Sequence, residues 1–148
     1  MQPNRILPDL QASLLCEDVR QEVTGNFILI GIIGVIRVMQ LPIVIPRLCL
    51  FNRWTVGVGT FTEMLRFVAP DGTTTLRQSQ MKFVLQDPAH HAITVTVLGQ
   101  IQLASAGVYH LEVLVDDVMK LRFPIPVILQ PPPQPPAGAP PPPKPPET

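Results

Sequence analysis

The stretch Ile93–Leu103, ITVTVLGQIQL, decides the fold class. Ile93, Val95, Val97, Ile101 and Leu103 alternate with Thr94, Thr96, Gln100 and Gln102. Successive side chains of a strand point to opposite faces, so this period of two predicts a strand with its apolar set buried and its polar set wet. The flanking sequence repeats the signal. Downstream, Tyr109, Leu111, Val113 and Val115 alternate with His110 and Glu112, and Asp116-Asp117 marks a turn into a return strand, Val118–Phe123. Pro124 and Pro126 bracket Ile125, which suits an edge strand, where a missing N–H costs nothing.

Upstream, Phe61–Ala69 runs into Pro70-Asp71-Gly72, a tight-turn signal, with Thr73–Val84 as its hairpin partner. Arg47–Val56 places Leu48, Leu50, Trp54 and Val56 on one face, with Asn52 as a polar interruption. Leu10–Cys16 reads as a first strand and Phe27–Ile36 as a second, separated by a turn at Val23–Asn26 and a helical turn at Asp18–Glu22. No segment sustains an apolar period of 3.6. The expectation is an all-β, antiparallel sandwich of about seven to nine strands.

The composition narrows the function. Of 148 residues, 46% are hydrophobic and 15% charged, with 11 basic and 11 acidic side chains and a net charge of zero. No surplus of Lys and Arg exists to neutralise phosphates, which argues against a nucleic-acid partner. Eleven of the 19 prolines fall in residues 131–148, PPPQPPAGAPPPPKPPET, so the chain divides into an N-terminal extension at 1–8, a sandwich domain at 9–130 and a disordered proline-rich tail at 131–148. Such a tail serves as a spacer or as a polyproline ligand for a groove-binding partner. The N-terminus has Pro3, Asp9, Glu17 and Asp18 where a secretion signal needs an apolar run, so a cytoplasmic location with reduced cysteines is expected.

Phe27–Ile45, FILIGIIGVIRVMQLPIVI, is apolar enough to raise the alternative of a membrane anchor. Arg37 at its centre, Gln40 and Pro42 weigh against it, and its Ile and Val content suits a strand buried on both faces and broken near Arg37–Pro42.

Catalytic chemistry finds little support. Gly31-Ile-Ile-Gly34 and Gly57-Val-Gly59 precede no helical pattern that would cradle a phosphate. His90 and His91 point to opposite faces of an extended chain, so they do not share an ion, and His91 with Asp87 is a weak alternative. Glu17, Asp18 and Glu22 read as a polar linker, and Cys16 and Cys49 as buried thiols far in sequence from any histidine. No catalytic, cofactor-binding or metal-ligating residue is assigned and no cofactor is expected. The protein reads as a non-enzymatic binding or assembly module, acting on a protein partner or by self-association.

Ser105-Ala-Gly107-Val-Tyr109-His-Leu111 resembles the tyrosine corner of immunoglobulin-like domains, although Leu111 stands where their disulfide cysteine would be. Trp54 resembles their core tryptophan. Residues 9–128 as a whole resemble an uncharacterised bacterial family of small single-domain immunoglobulin-like β-sandwich proteins. The resemblance rests on Leu14–Asp18, Gly25–Ile33, Pro42 or Pro46, Pro70-Asp71-Gly72, Gly107-Val-Tyr109, Asp116-Asp117 and Pro124–Val127. It implies a fold and no activity.

Overall fold

The computed structural model describes residues 5–131, Gly138 and residues 143–146, so most of the expected tail lies outside the described residues. Nine strands form: β1 (Asp9–Gln21), β2 (Phe27–Ile32), β3 (Ile36–Val38), β4 (Ile43–Thr55), β5 (Gly59–Val68), β6 (Thr75–Leu85), β7 (His91–Leu103), β8 (Gly107–Val115) and β9 (Val118–Leu129). They make two sheets, β2-β1-β4-β7 and β3-β9-β8-β5-β6, the first curled like half a barrel. All pairings are antiparallel except β3 with β9. The all-β expectation holds.

Both expected hairpins form, β5–β6 and β8–β9. Asp116 and Asp117 both have positive φ, 45° and 67°, which a two-residue turn matching the strand twist requires. At Pro70-Asp71-Gly72 the Asp71 carboxylate accepts hydrogen bonds from the Thr74 hydroxyl and from the Thr74 and Thr73 amides. Together, led by the Thr74 hydroxyl, these hold its carboxyl down at about 2. Pro124 and Pro126 lie on the part of β9 that only β8 covers; β3 pairs with Val127–Leu129 beyond them. The expected edge strand is thus an inner one, since β9 lies between β3 and β8, although β3 does not extend along Pro124 and Pro126.

Three sequence expectations are corrected. Asp18–Glu22 is no helical turn, because β1 continues to Gln21 and its side chains pair across to β2. Phe27–Ile36 is not one strand buried on both faces: it breaks at Ile33–Val35, and β2 is the outermost strand of its sheet, with Ile28, Ile30 and Ile32 exposed. Phe27–Ile45 thus holds β2, β3 and the start of β4, and no helix among the described residues is long and apolar enough to cross a membrane.

The third correction concerns the phase of β7. Thr94, Thr96 and Leu98 face inward while Ile93 and Val97 face out, the reverse of the alternation read from ITVTVLGQIQL. At Gln100 the backbone takes a left-handed conformation, φ 54°, and the faces exchange, so Ile101 and Leu103 are buried as expected. Likewise Asn52 lies inside with Leu48, Leu50 and Trp54, while Val56 is exposed in the following turn.

A buried acid explains these inward polar residues. Glu63 of β5, 1% exposed, reaches across the core to the other sheet. Its Oε1 accepts hydrogen bonds from Asn52 Nδ2 (2.8 Å), Trp54 Nε1 (2.7 Å) and Thr94 Oγ1 (2.6 Å). Asn52 and Thr94 are opposite one another on β4 and β7, so one oxygen ties together three strands of two sheets. Trp54 stacks on Phe83 (5.3 Å), which packs against Phe61 (5.6 Å), and further along the core Phe67 stacks on Tyr109 (5.5 Å). At one flank, Arg77 of β6 donates to the carbonyls of Gly99 and Gln100 on β7, clasping the edges of the two sheets. At one end Arg5 lies over the Phe61 ring and pairs with Asp116, while Ile6 pairs with Val58. Gly57 permits this approach, since a Cβ there would lie 2.7 Å from Pro8.

Glu63→Ala is expected to lower unfolding free energy by about 3 kcal/mol or more, because each orphaned buried donor costs about 1–3 kcal/mol. Glu63→Gln keeps an acceptor oxygen and loses less, and Trp54→Phe removes one donor for about 1–2 kcal/mol. Urea unfolding of the three variants measures these losses; a Trp54→Phe variant as stable as the wild type would show that the hydrogen bond to Glu63 does not set the cost.

Candidate functional site

The described surface has one concavity that couples aromatic walls to an unpaired charge. The β1–β2 hairpin curls so that its tip, Gly25–Phe27, lies against the outer face of the β1-β4-β7 sheet. Phe27 meets Phe51 edge-on, ring centroids 6.0 Å apart at 64°. This contact explains why Phe51 is buried although it lies outside the main core. Between tip and sheet is a cleft of about 500 Å³ lined by Gln11, Ala12, Gly25, Asn26, Phe27, Phe51, Arg53 and Ile93. Its volume lies in the range of small-molecule sites.

Register builds the floor of the cleft. Arg53 is opposite Ala12 on one side and Ile93 on the other, and Phe51 is opposite Leu14 and Val95. Among the described residues Arg53 is the only charged side chain lining the cleft. It is half-buried, its Nε is buried without a hydrogen-bond partner, and it pairs with no carboxylate among the described residues. Most other arginines are engaged: Arg20 and Arg47 on Asp18, Arg66 and Arg122 on Glu112, Arg5 on Asp116. A second groove of about 380 Å³, between β1, β3 and β4, holds Arg37 and Arg47, but Glu17 within it and Asp18 beside it offset their charge.

The residues weighed in the sequence are scattered. Asp87 caps its own turn, accepting from the Ala89 amide, and the His90 amide bonds the Asp87 carbonyl. His90 and His91 line a shallow dent beside Val84 and Gln86, and His110 lies on β8 in the other sheet. Among the described residues no three His, Cys, Asp or Glu side chains converge as metal ligands would. Asp18 is held below the usual carboxylate range, first by the Arg20 hydrogen bond and further by the Val19 amide and Arg47. Glu17 turns to the opposite face, where its carboxylate lies against Gly31; Gly31, at φ 65°, has no Cβ to block it.

Cys16 and Cys49 were read as buried thiols, and both are buried and free. What the sequence concealed is that they are direct partners across β1 and β4, although 33 positions separate them (49 − 16). Burial, and then the neighbouring Cys49, push the Cys16 thiol above its ordinary value. Cys16 is thus poor in thiolate and both thiols are buried, the opposite of a reactive cysteine site.

Sequence reasoning passed over Arg53, Phe27 and Phe51 as a group. Each is unremarkable in its own run, and only the curl of β1 unites them.

Residues 11–128 match the model of a family described as a family of unknown function, DUF6941. No curated protein matches the chain.

Thiol labelling by a small disulfide reagent at mild alkaline pH is expected to be at least about 100-fold slower in the folded chain than in urea, since it needs local opening of β1 from β4. Equal rates would show that the two thiols are accessible in the native state.

Proposed function

The chain belongs to that family of unknown function, and we propose that it is a non-enzymatic binding or assembly module built on an immunoglobulin-like sandwich. Support for the finer fold is the Tyr109 hydroxyl, which donates to the Ser105 carbonyl at 2.7 Å, the bond of a tyrosine corner. Further support is the buried Trp54 between two antiparallel layers. The chain departs from antibody domains in placing that tryptophan on β4 and in having Leu111 where a cysteine would bridge the sheets.

One observation carries the assembly reading. β2, FILIGI, is the outer strand of its sheet and exposes Ile28, Ile30 and Ile32 on one face. An edge strand offers unpaired N–H and C=O groups, and proteins that stay monomeric blunt such edges with lysine, proline, inward charge or a bulge. β2 has no charged residue or proline, and its pairing with β1 keeps one register throughout. The other open flank is treated differently: Arg77 ties β6 to β7. The partner that fits β2 is a second copy, paired antiparallel about Ile30, so that Ile28 of each copy meets Ile32 of the other and the isoleucine rows join. The proline-rich segment at 131–148 serves this assembly as a spacer or as a polyproline ligand for a further partner.

Sedimentation equilibrium of the full chain is expected to show a concentration-dependent dimer that Ile30→Lys converts to a monomer that keeps the strand signature in circular dichroism. A wild-type chain that stays strictly monomeric at high concentration would remove the assembly reading.

A further inference from the structure

We propose that the cleft under the β1–β2 tip is a binding site for a small aryl carboxylate. The inference rests on the reading of the domain as a binding module and names a ligand class for it.

The chemistry follows from the lining. Phe27 and Phe51 present an edge-on pair of rings, and Ile93 and Ala12 extend the apolar surface. A planar hydrocarbon group is what such walls accept, since aromatic rings favour offset or edge contacts with another ring. Among the described residues Arg53 supplies the only charge, and its guanidinium has a buried Nε without a partner. A planar carboxylate matches the guanidinium fork with two parallel hydrogen bonds, and charge-assisted bonds of this kind are the strong ones. The charge count selects a monoanion: one cation neutralises one carboxylate, whereas a phosphate dianion would keep a negative charge beside two phenyl rings. The amide side chains of Gln11 and Asn26 at the cleft complete a polar rim without adding charge. No acidic residue among those described lines the cleft to repel an anion.

The test uses the full-length chain, labelled with ¹⁵N and titrated with sodium phenylacetate, phenylacetamide and sodium acetate in parallel. Expected are saturable amide shifts from phenylacetate at Gly25–Phe27, Ala12, Arg53 and Ile93, and at least tenfold weaker shifts from the neutral amide and from acetate. Arg53→Gln weakens phenylacetate binding at least tenfold, and Arg53→Lys, which keeps the charge but loses the fork, falls between. A thermal melt confirms that each variant is folded, and Phe27→Leu, which keeps apolar contact but removes the ring pair, provides a second route to the same loss. Equal binding of phenylacetate and phenylacetamide, shifts located elsewhere, or no effect of Arg53→Gln would overturn the proposal. Sedimentation of the same samples keeps the two readings apart. A chain that dimerises but ignores phenylacetate loses only the ligand, and a monomer that binds it loses only the assembly.

Discussion

The fold depends on one acceptor atom, Glu63 Oε1, which takes hydrogen bonds from three donors on the opposite sheet. Apolar side chains alone specify a sandwich loosely, because Leu, Ile and Val pack at several offsets of similar energy. A buried carboxylate does not tolerate such offsets, since desolvation is repaid only where its partners are in place. Shifting β4 by one residue would turn Asn52 and Trp54 to the outer face and leave Glu63 without two of its donors. The network thus acts as the register pin between sheets in a chain whose two cysteines lie in one sheet and cannot bridge the layers.

This pin also explains where the sequence misleads. Alternation in ITVTVLGQIQL reveals the period of β7 but not its phase, and hydrophobicity assigns the phase wrongly because the partner that draws Thr94 inward is 31 positions away in Glu63. Thr94 and Asn52 read as polar residues facing water until an acceptor is known inside. The change of face at Gln100 is equally hidden, since a non-glycine residue at positive φ carries no sequence signature there. By contrast, β8, its Asp116-Asp117 turn and the Pro70-Asp71-Gly72 hairpin were legible, because their information is local: turn residues with defined backbone needs, beside strands whose polar face meets water.

The cleft is the least legible feature for the same reason. β4 is buried on both faces from Leu48 to Asn52, so its sequence shows no alternation from which to assign Cys49 or Phe51 a side. Only one layer explains Leu48, Leu50 and Asn52; the outer side chains need a second cover. The curl of the first sheet provides part of it at Phe51, by bringing Phe27 across. Arg53 follows two positions after Phe51 and is carried by the strand period to the same outer face, beside the tip and away from the acid network. That Arg53 pairs with no acid among the described residues follows from topology: on β1, Asp9 pairs with Lys120, and Glu17 and Asp18 lie beyond Cys16, where Arg20 and Arg47 engage Asp18.

The same geometry decides which edge stays open. Two stacked sheets have four edge strands, here β2, β7, β3 and β6. Arg77 closes β6 on β7, and β3 is three residues long, too short to template a partner. β2 remains, held to β1 along one side and carrying its isoleucines on the outer face of a curled sheet. A fully two-sided burial of Phe27–Ile36 would have removed both the exposed row and the hairpin tip that shapes the cleft. The break at Ile33–Val35 sends the chain to the second sheet and leaves β2 as a free edge. An apolar run in a chain of zero net charge thus ends as surface rather than core, because topology assigned it a position before hydrophobicity could bury it.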